Sequence, residues 1–172
     1  MTNVFERFER DFLQANTWDQ RKDGAPLYLL DRMSPEERAQ AEDRLIGSLS
    51  EGDSWPALGL GHLGSSRALP DLYALLSKCT QGMVIFVAFS IYQINRDARM
   101  IEAVLAELPK ITNEYILIDT LYYLGIFDDP RIKAALKQYR KDPRYLVAYN
   151  AARTLGESTD EVVQEFRKKK SG

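Results

Sequence analysis

A small or turn-forming residue recurs along this chain at nearly constant spacing, each time between two apolar helical patterns. Gly64, Asn95, Gly125 and Gly156 stand 31, 30 and 31 residues apart. One further step of 31 back from Gly64 reaches Met33, just before SPEERAQAEDRLIGSL. A period in this range restricts a chain to a few architectures. Each unit is one supersecondary element that cannot bury its apolar face alone, so neighbouring units must stack to build a continuous core.

The unit itself reads as helix, tight turn, helix and short loop. SWPALGLGHL, MVIFVAFSIYQI, NEYILIDTLYYL and PRYLVAYNAARTL precede the four turns. GSSRALPDLYALL, NRDARMIEAVLAEL, GIFDDPRIKAALKQY and GESTDEVVQEF follow them. Gly and Asn suit the turns because both tolerate the left-handed backbone that ends a helix, so Asn95 and Gly125 are expected to take it, as are Gly64 and Gly156. Ser34-Pro35-Glu36-Glu37 reads as an N-cap, a proline in the first turn and a capping-box glutamate. Asp142-Pro143 is expected to open a helix in the same way. MVIFVAFSIYQI is rich in β-branched and aromatic residues, as strands are. Its twelve residues and its place in the repeat favour a buried helix. In 113–124, Ile116, Thr120 and Tyr123 recur at helical spacing beside Leu117, Leu121 and Leu124.

DPRYLVAYNAARTLG, from Asp142 to Gly156, resembles the first helix of a short, roughly 30-residue HEAT-like repeat of the bilin-lyase type, and GSSRALPDLYALL resembles the second. The resemblance covers about residues 35 to 155. It implies an all-α fold, an α-solenoid of stacked antiparallel helix pairs with one concave face. The expected organisation is a single domain over 1–172: capping helices in 1–32, repeats over 33–156, and a capping helix with a basic tail in 157–172. Helices around Val4 to Leu13 and after Glu165 would cap the array. Ala148 departs from the pattern, standing where the first helix of such a repeat commonly has arginine.

Composition limits the chemistry. Of 172 residues, 45% are hydrophobic, enough for a core and too many for a disordered chain. One Cys makes no internal disulfide, and one Cys with one His makes no ordinary structural zinc site. No apolar run nears the roughly 20 residues that span a bilayer, and MTNVFERFERDF lacks an unbroken apolar stretch of signal-peptide type. A cytoplasmic location is expected. A net charge of −2 argues against sequence-independent nucleic-acid binding.

Few residues invite catalysis. GLGHLG, Gly59 to Gly64, matches the dinucleotide-binding string but has no strand before it, so its glycines are expected to serve close helix packing. His62 sits between leucines and would need a distant carboxylate to orient it as a base. Cys79 ends a helix, where the dipole does not favour a thiolate. Asp119 stands in an otherwise almost wholly apolar helix. It is expected to be either a paired acid bonding the neighbouring repeat or one presented to a partner. HEAT-like DNA glycosylases use an aspartate with aromatics on a basic face, but a uniformly basic wall is missing here. No catalytic residue, metal or cofactor is expected.

Charge and aromatic residues point to a partner protein. From 33 to 63 six acids, among them Glu36, Glu37, Glu42 and Asp53, face two arginines. From 125 to 155 seven cations, including Arg131 and Lys137, face three aspartates. Either these are solvated helix faces or they form a dipolar surface that orients a partner. Nine Tyr and two Trp exceed what an aliphatic core needs. Trp55, Tyr73, Tyr92, Tyr122 and Tyr149 are candidate anchors, because Tyr and Trp concentrate binding energy at interfaces. The expected function is a non-catalytic protein-binding module. Small acidic proteins on this scaffold resemble immunity proteins, which would make the partner a secreted toxin whose active site is occluded. An assembly adaptor is the alternative.

Overall fold

A computed structural model describes residues 3–170 of the chain. Residues 1, 2, 171 and 172, at the ends of the two expected capping segments, lie outside the described residues. Twelve α-helices and no strand occur among the described residues; a lone bridge joins Ser50 and Asp53. They are α1 (Val4–Phe8), continued by a π-helical turn (Glu9–Leu13), then α2 (Trp18–Arg21), α3 (Tyr28–Asp31), α4 (Pro35–Gly47), α5 (Trp55–Leu63) and α6 (Leu69–Leu76). After these come α7 (Gly82–Asn95), α8 (Arg99–Glu107), α9 (Glu114–Tyr123), α10 (Pro130–Tyr139), α11 (Tyr145–Leu155) and α12 (Thr159–Lys170). The all-α class expected from the repeat is correct, and each expected helix from Pro35 onward is present. No helix among the described residues is long and apolar enough to cross a membrane.

The chain forms two compact units: residues 1–79 with 86–97, and residues 80–85 with 98–172. The first unit is built on Phe8, Phe12, Leu29, Leu30, Leu45, Leu60 and Leu72, all within 1% of complete burial. Its α4 begins with the expected reciprocal cap. Ser34 Oγ accepts from Glu37 N at 3.2 Å, and Glu37 Oε2 accepts from Ser34 N at 2.9 Å. The second unit buries Val104, Leu117, Leu121, Phe127, Ile132 and Val147.

Within the second unit alternate helices lie side by side and run the same way. Arg131, at the start of α10, reaches Glu102 near the start of α8 at 2.8 Å, while Tyr139 Oη at the end of α10 donates to Leu108 O just past α8 at 3.3 Å. In the other layer α9 packs on α11. The Arg144 guanidinium, before α11, feels Glu114 at the start of α9, and Thr154 Oγ1 near its end donates to Leu121 O at 3.1 Å. These contacts join residues separated by about one repeat. Ala148 is fully buried with Ala152 and Val162, where α11 and α12 meet.

The turns divide. Gly64 (φ 65°) and Gly156 (φ 72°) are left-handed, as expected. Gly125 is a correction: it lies inside a 3-10 turn, Leu124–Ile126, and its φ is not positive. There the chain leaves α9 by tightening and then extending at Phe127 (ψ 105°), which needs no left-handed residue. Asn95 is another correction. α7 runs through it, and Arg96 takes the left-handed conformation (φ 57°). Asp142 is not an N-cap either. The chain bends at Pro143, Arg144 (ψ 121°) precedes the first helical residue, and Asp142 Oδ1 instead accepts from Arg144 N at 2.9 Å.

Candidate site: a tyrosine face with an unpaired acid

Helix α9 is started by Asn113, whose side chain accepts from Tyr115 N at 3.0 Å and Ile116 N at 3.2 Å. Its sequence is apolar nearly all round, so packing decides which side faces inward. Leu117, Thr120, Leu121 and Leu124, spaced i, i+3, i+4 and i+7, are buried. Thr120 satisfies its hydroxyl within the helix, donating to Leu117 O at 2.8 Å. Tyr115, Asp119 and Tyr122, spaced i, i+4 and i+7, therefore share the opposite face. Tyr115 is 76% exposed and Tyr122 is 63% exposed. Tyr123 lies beside Tyr122, edge to face, with ring centroids 5.2 Å apart.

Helix α11 buries Val147, Ala148, Ala151 and Ala152 and leaves Tyr145 and Leu146 exposed. Tyr145 meets Tyr149 at 5.8 Å between centroids and Phe166 of α12 at 5.4 Å. Six large hydrophobic side chains are exposed among the described residues. Tyr115, Tyr122, Tyr145 and Leu146 belong to the neighbouring α9 and α11, and the other two are Trp18 and Tyr28.

Asp119 corrects the first of the two expectations held for it. It is exposed and forms no hydrogen bond or ion pair among the described residues, so it does not bond a neighbouring repeat. Protein atoms around the carboxyl still displace enough water to push its pKa up, with no opposing cation. Burial first, then the nearby Tyr122 and Asp119, pushes the Tyr123 phenol up to about 12.

The other expected partner-binding residues are dispersed. Trp55 is 6% exposed, packed 5.5 Å from the Phe12 ring with the Arg21 guanidinium 4.0 Å above its own. It is a core residue and offers no exposed anchor. Asp53, expected on an acidic surface, accepts two bonds from the same Arg21 and caps Trp55 N at 3.0 Å. Glu42 accepts from Ser65 and Arg67. Glu37 is used in its cap, and Glu36 stays exposed. Tyr73 donates to Asp97 at 2.5 Å, and Tyr92 lies 5.2 Å from the Arg96 guanidinium. Arg131 is held by Asp129 as well as Glu102. Lys137 lines an open groove of about 430 Å³ with Arg140, Lys141, Glu157, Glu165 and Lys169. Internal pairing thus consumes much of the charge contrast visible in the sequence.

The residues considered for catalysis are placed as follows. His62 Nε2 lies 2.7 Å from Asp31 Oδ1, so the carboxylate thought to be distant is supplied by the end of α3, 31 residues earlier. Burial pushes the Cys79 thiol up, which disfavours a thiolate. Gly59 and Gly61 lie inside α5 at close helix contacts. A Cβ on Gly61 would stand 2.9 Å from Ser90 Cα of α7.

Tyr115, Tyr145 and Leu146, absent from the expected set, are the further large hydrophobic side chains that α9 and α11 expose. Their helical spacing is visible in the sequence, but not which side of an all-apolar helix faces out. Comparison with family models, with curated proteins and with solved structures finds no match.

Proposed function

We propose that this chain is a protein-binding module on a HEAT-like α-solenoid, with the face of α9 and α11 as its docking surface. Two observations support the solenoid: the same-direction packing of α8 with α10 and of α9 with α11, and contacts recurring about one repeat apart. The single observation that carries the docking reading is the concentration of exposed side chains there: three tyrosines and a leucine, four of the six large hydrophobics exposed among the described residues, on the adjacent α9 and α11. Such rings lose little conformational freedom on binding, and tyrosines concentrate binding energy at interfaces. Within this class the immunity-type role, occlusion of a toxin's active site, is the specific form we favour, with an assembly adaptor as the alternative.

Co-expression with toxins encoded beside the gene tests the reading. The wild-type chain should neutralise a cognate toxin, and Tyr115→Ala with Tyr122→Ala should weaken binding at least tenfold while circular dichroism stays unchanged. A stable complex with a non-toxic partner that needs the same tyrosines would favour the adaptor. A complex indifferent to both substitutions would overturn this docking face.

A further inference from the structure

The anomaly on this surface is Asp119. Most other acids of the second unit have a cation in reach: Asp128 has Lys133, Asp129 and Glu102 share Arg131, and Asp142 has Arg144. Glu107 has Lys110, and Glu157 and Glu165 clasp Arg140. Asp119 has none among the described residues, although it stands between exposed tyrosines one helical turn away on either side. Arg153, exposed on α11, forms no pair with it. Among the described residues nothing occupies the carboxylate.

We propose that the Tyr115–Asp119–Tyr122 stripe receives an arginine side chain of a partner polypeptide, Asp119 serving as counter-ion and the tyrosine rings as walls. This rests on the docking reading above and specifies what the partner must present. A carboxylate flanked by aromatic faces combines the two features that hold a guanidinium: a bidentate acceptor for its planar fork and negatively polarised faces on which it stacks. Arginine fits better than lysine because its guanidinium is more weakly hydrated and stacks as well as pairs. An acidic or purely apolar partner segment would leave Asp119 covered and unpaired, at a cost. The stripe therefore selects by rejection as well as by attraction.

Selection of random short peptides displayed on phage, against the wild-type chain and against Tyr115→Ala/Tyr122→Ala, tests both levels. The expected result is a set of peptides that bind only when the tyrosines are present and share an arginine. For a synthetic member of that set, Asp119→Asn should weaken binding about tenfold or more, the range for losing a hydrogen bond to a charged group. Replacing the peptide's arginine by citrulline, which keeps the shape and removes the charge, should do the same. The two changes together should cost little more than either alone. Peptides that need the tyrosines but lack a shared arginine, or bind Asp119→Asn equally well, would overturn the counter-ion and leave the docking face standing. Equal binding by lysine peptides would overturn the preference for arginine. Recovery of no tyrosine-dependent peptide would overturn both readings.

Discussion

Replacing Gly61 by alanine should destabilise the first unit, against the usual benefit of alanine in a helix. Gly61 lies inside α5, where the helix propensity of alanine alone would add about 1 kcal/mol. The new Cβ would stand 2.9 Å from Ser90 Cα, 3.0 Å from Ser90 Cβ and 2.9 Å from Gln93 Oε1. The first obstacle is backbone and cannot rotate away. The last is a buried carbonyl oxygen with no hydrogen-bond partner among the described residues. Forcing a methyl into a packed interior costs about 1–3 kcal/mol, and a backbone obstacle belongs in the upper half of that range. The expected net loss is thus about 1–2 kcal/mol after the propensity gain. Gly59→Ala is the internal control. Its Cβ would meet the ends of Leu45 and Phe12 at 3.0–3.2 Å, side chains that can shift, so it should stay within about 1 kcal/mol of wild type. Urea unfolding followed by tryptophan emission reads this directly, because Trp18 and Trp55 both lie in the first unit. Gln93→Ala in the Gly61→Ala background should recover only part of the loss, since Ser90 remains. If Gly61→Ala matches or exceeds wild type while Gly59→Ala falls, close approach at Ser90 is not what keeps glycine at position 61.

Gly156→Ala should cost about 1 kcal/mol from its left-handed backbone alone, since a Cβ there meets nothing within 4 Å; Gly125→Ala should be tolerated, and paired melts would separate the two. Asp119→Asn should leave stability at neutral pH unchanged or raise it by up to about 0.5 kcal/mol. Its carboxyl is raised in the folded chain, so ionisation opposes folding once pH passes the unfolded value, and the difference should vanish below about pH 4, as denaturation at two pH values would show. Tyr123, held up to about 12, and Tyr139, also raised by burial, should ionise above the ordinary phenol range in an ultraviolet titration. Because the unfolded chain releases those protons first, near pH 10, stability should fall as pH rises beyond that point.

Local signals were legible where a single interaction decides the outcome. Ser34 and Glu37 cap α4 because the reciprocal bonds require only four residues, and Gly64 and Gly156 end their helices in the left-handed conformation. Gly125 occupies the same register yet behaves differently, because Phe127 and Asp129 redirect the chain without it. Trp55 illustrates a second limit. Phe12 and Arg21, which pack on its ring, come from a segment outside the repeat, which no period reveals. The tyrosine face illustrates a third. In NEYILIDTLYYL hydrophobicity is nearly isotropic, and only the packing of α11 against α9 fixes Leu117 and Leu121 inward and Tyr115 and Tyr122 outward. Asp119 was conspicuous in the sequence, and its surroundings were not.

Helix α7 carries a consequence for how this chain is made. From Gly82 to Asn95 it has no charged residue and no proline, and its Val, Ile, Phe and Tyr content is that of a strand. Such a run, while unfolded, is a template for intermolecular β-pairing and amyloid-like stacking. Its residues 82–85 belong to one compact unit and 86–95 to the other, so a nascent chain that has just completed α7 still lacks residues 98 onward, the bulk of the unit that claims its first turn. Synthesis therefore passes through a stage in which aggregation competes with folding. A fragment ending at Asp97 would prolong that stage indefinitely, and full-length chain refolded from denaturant should lose yield as its concentration rises.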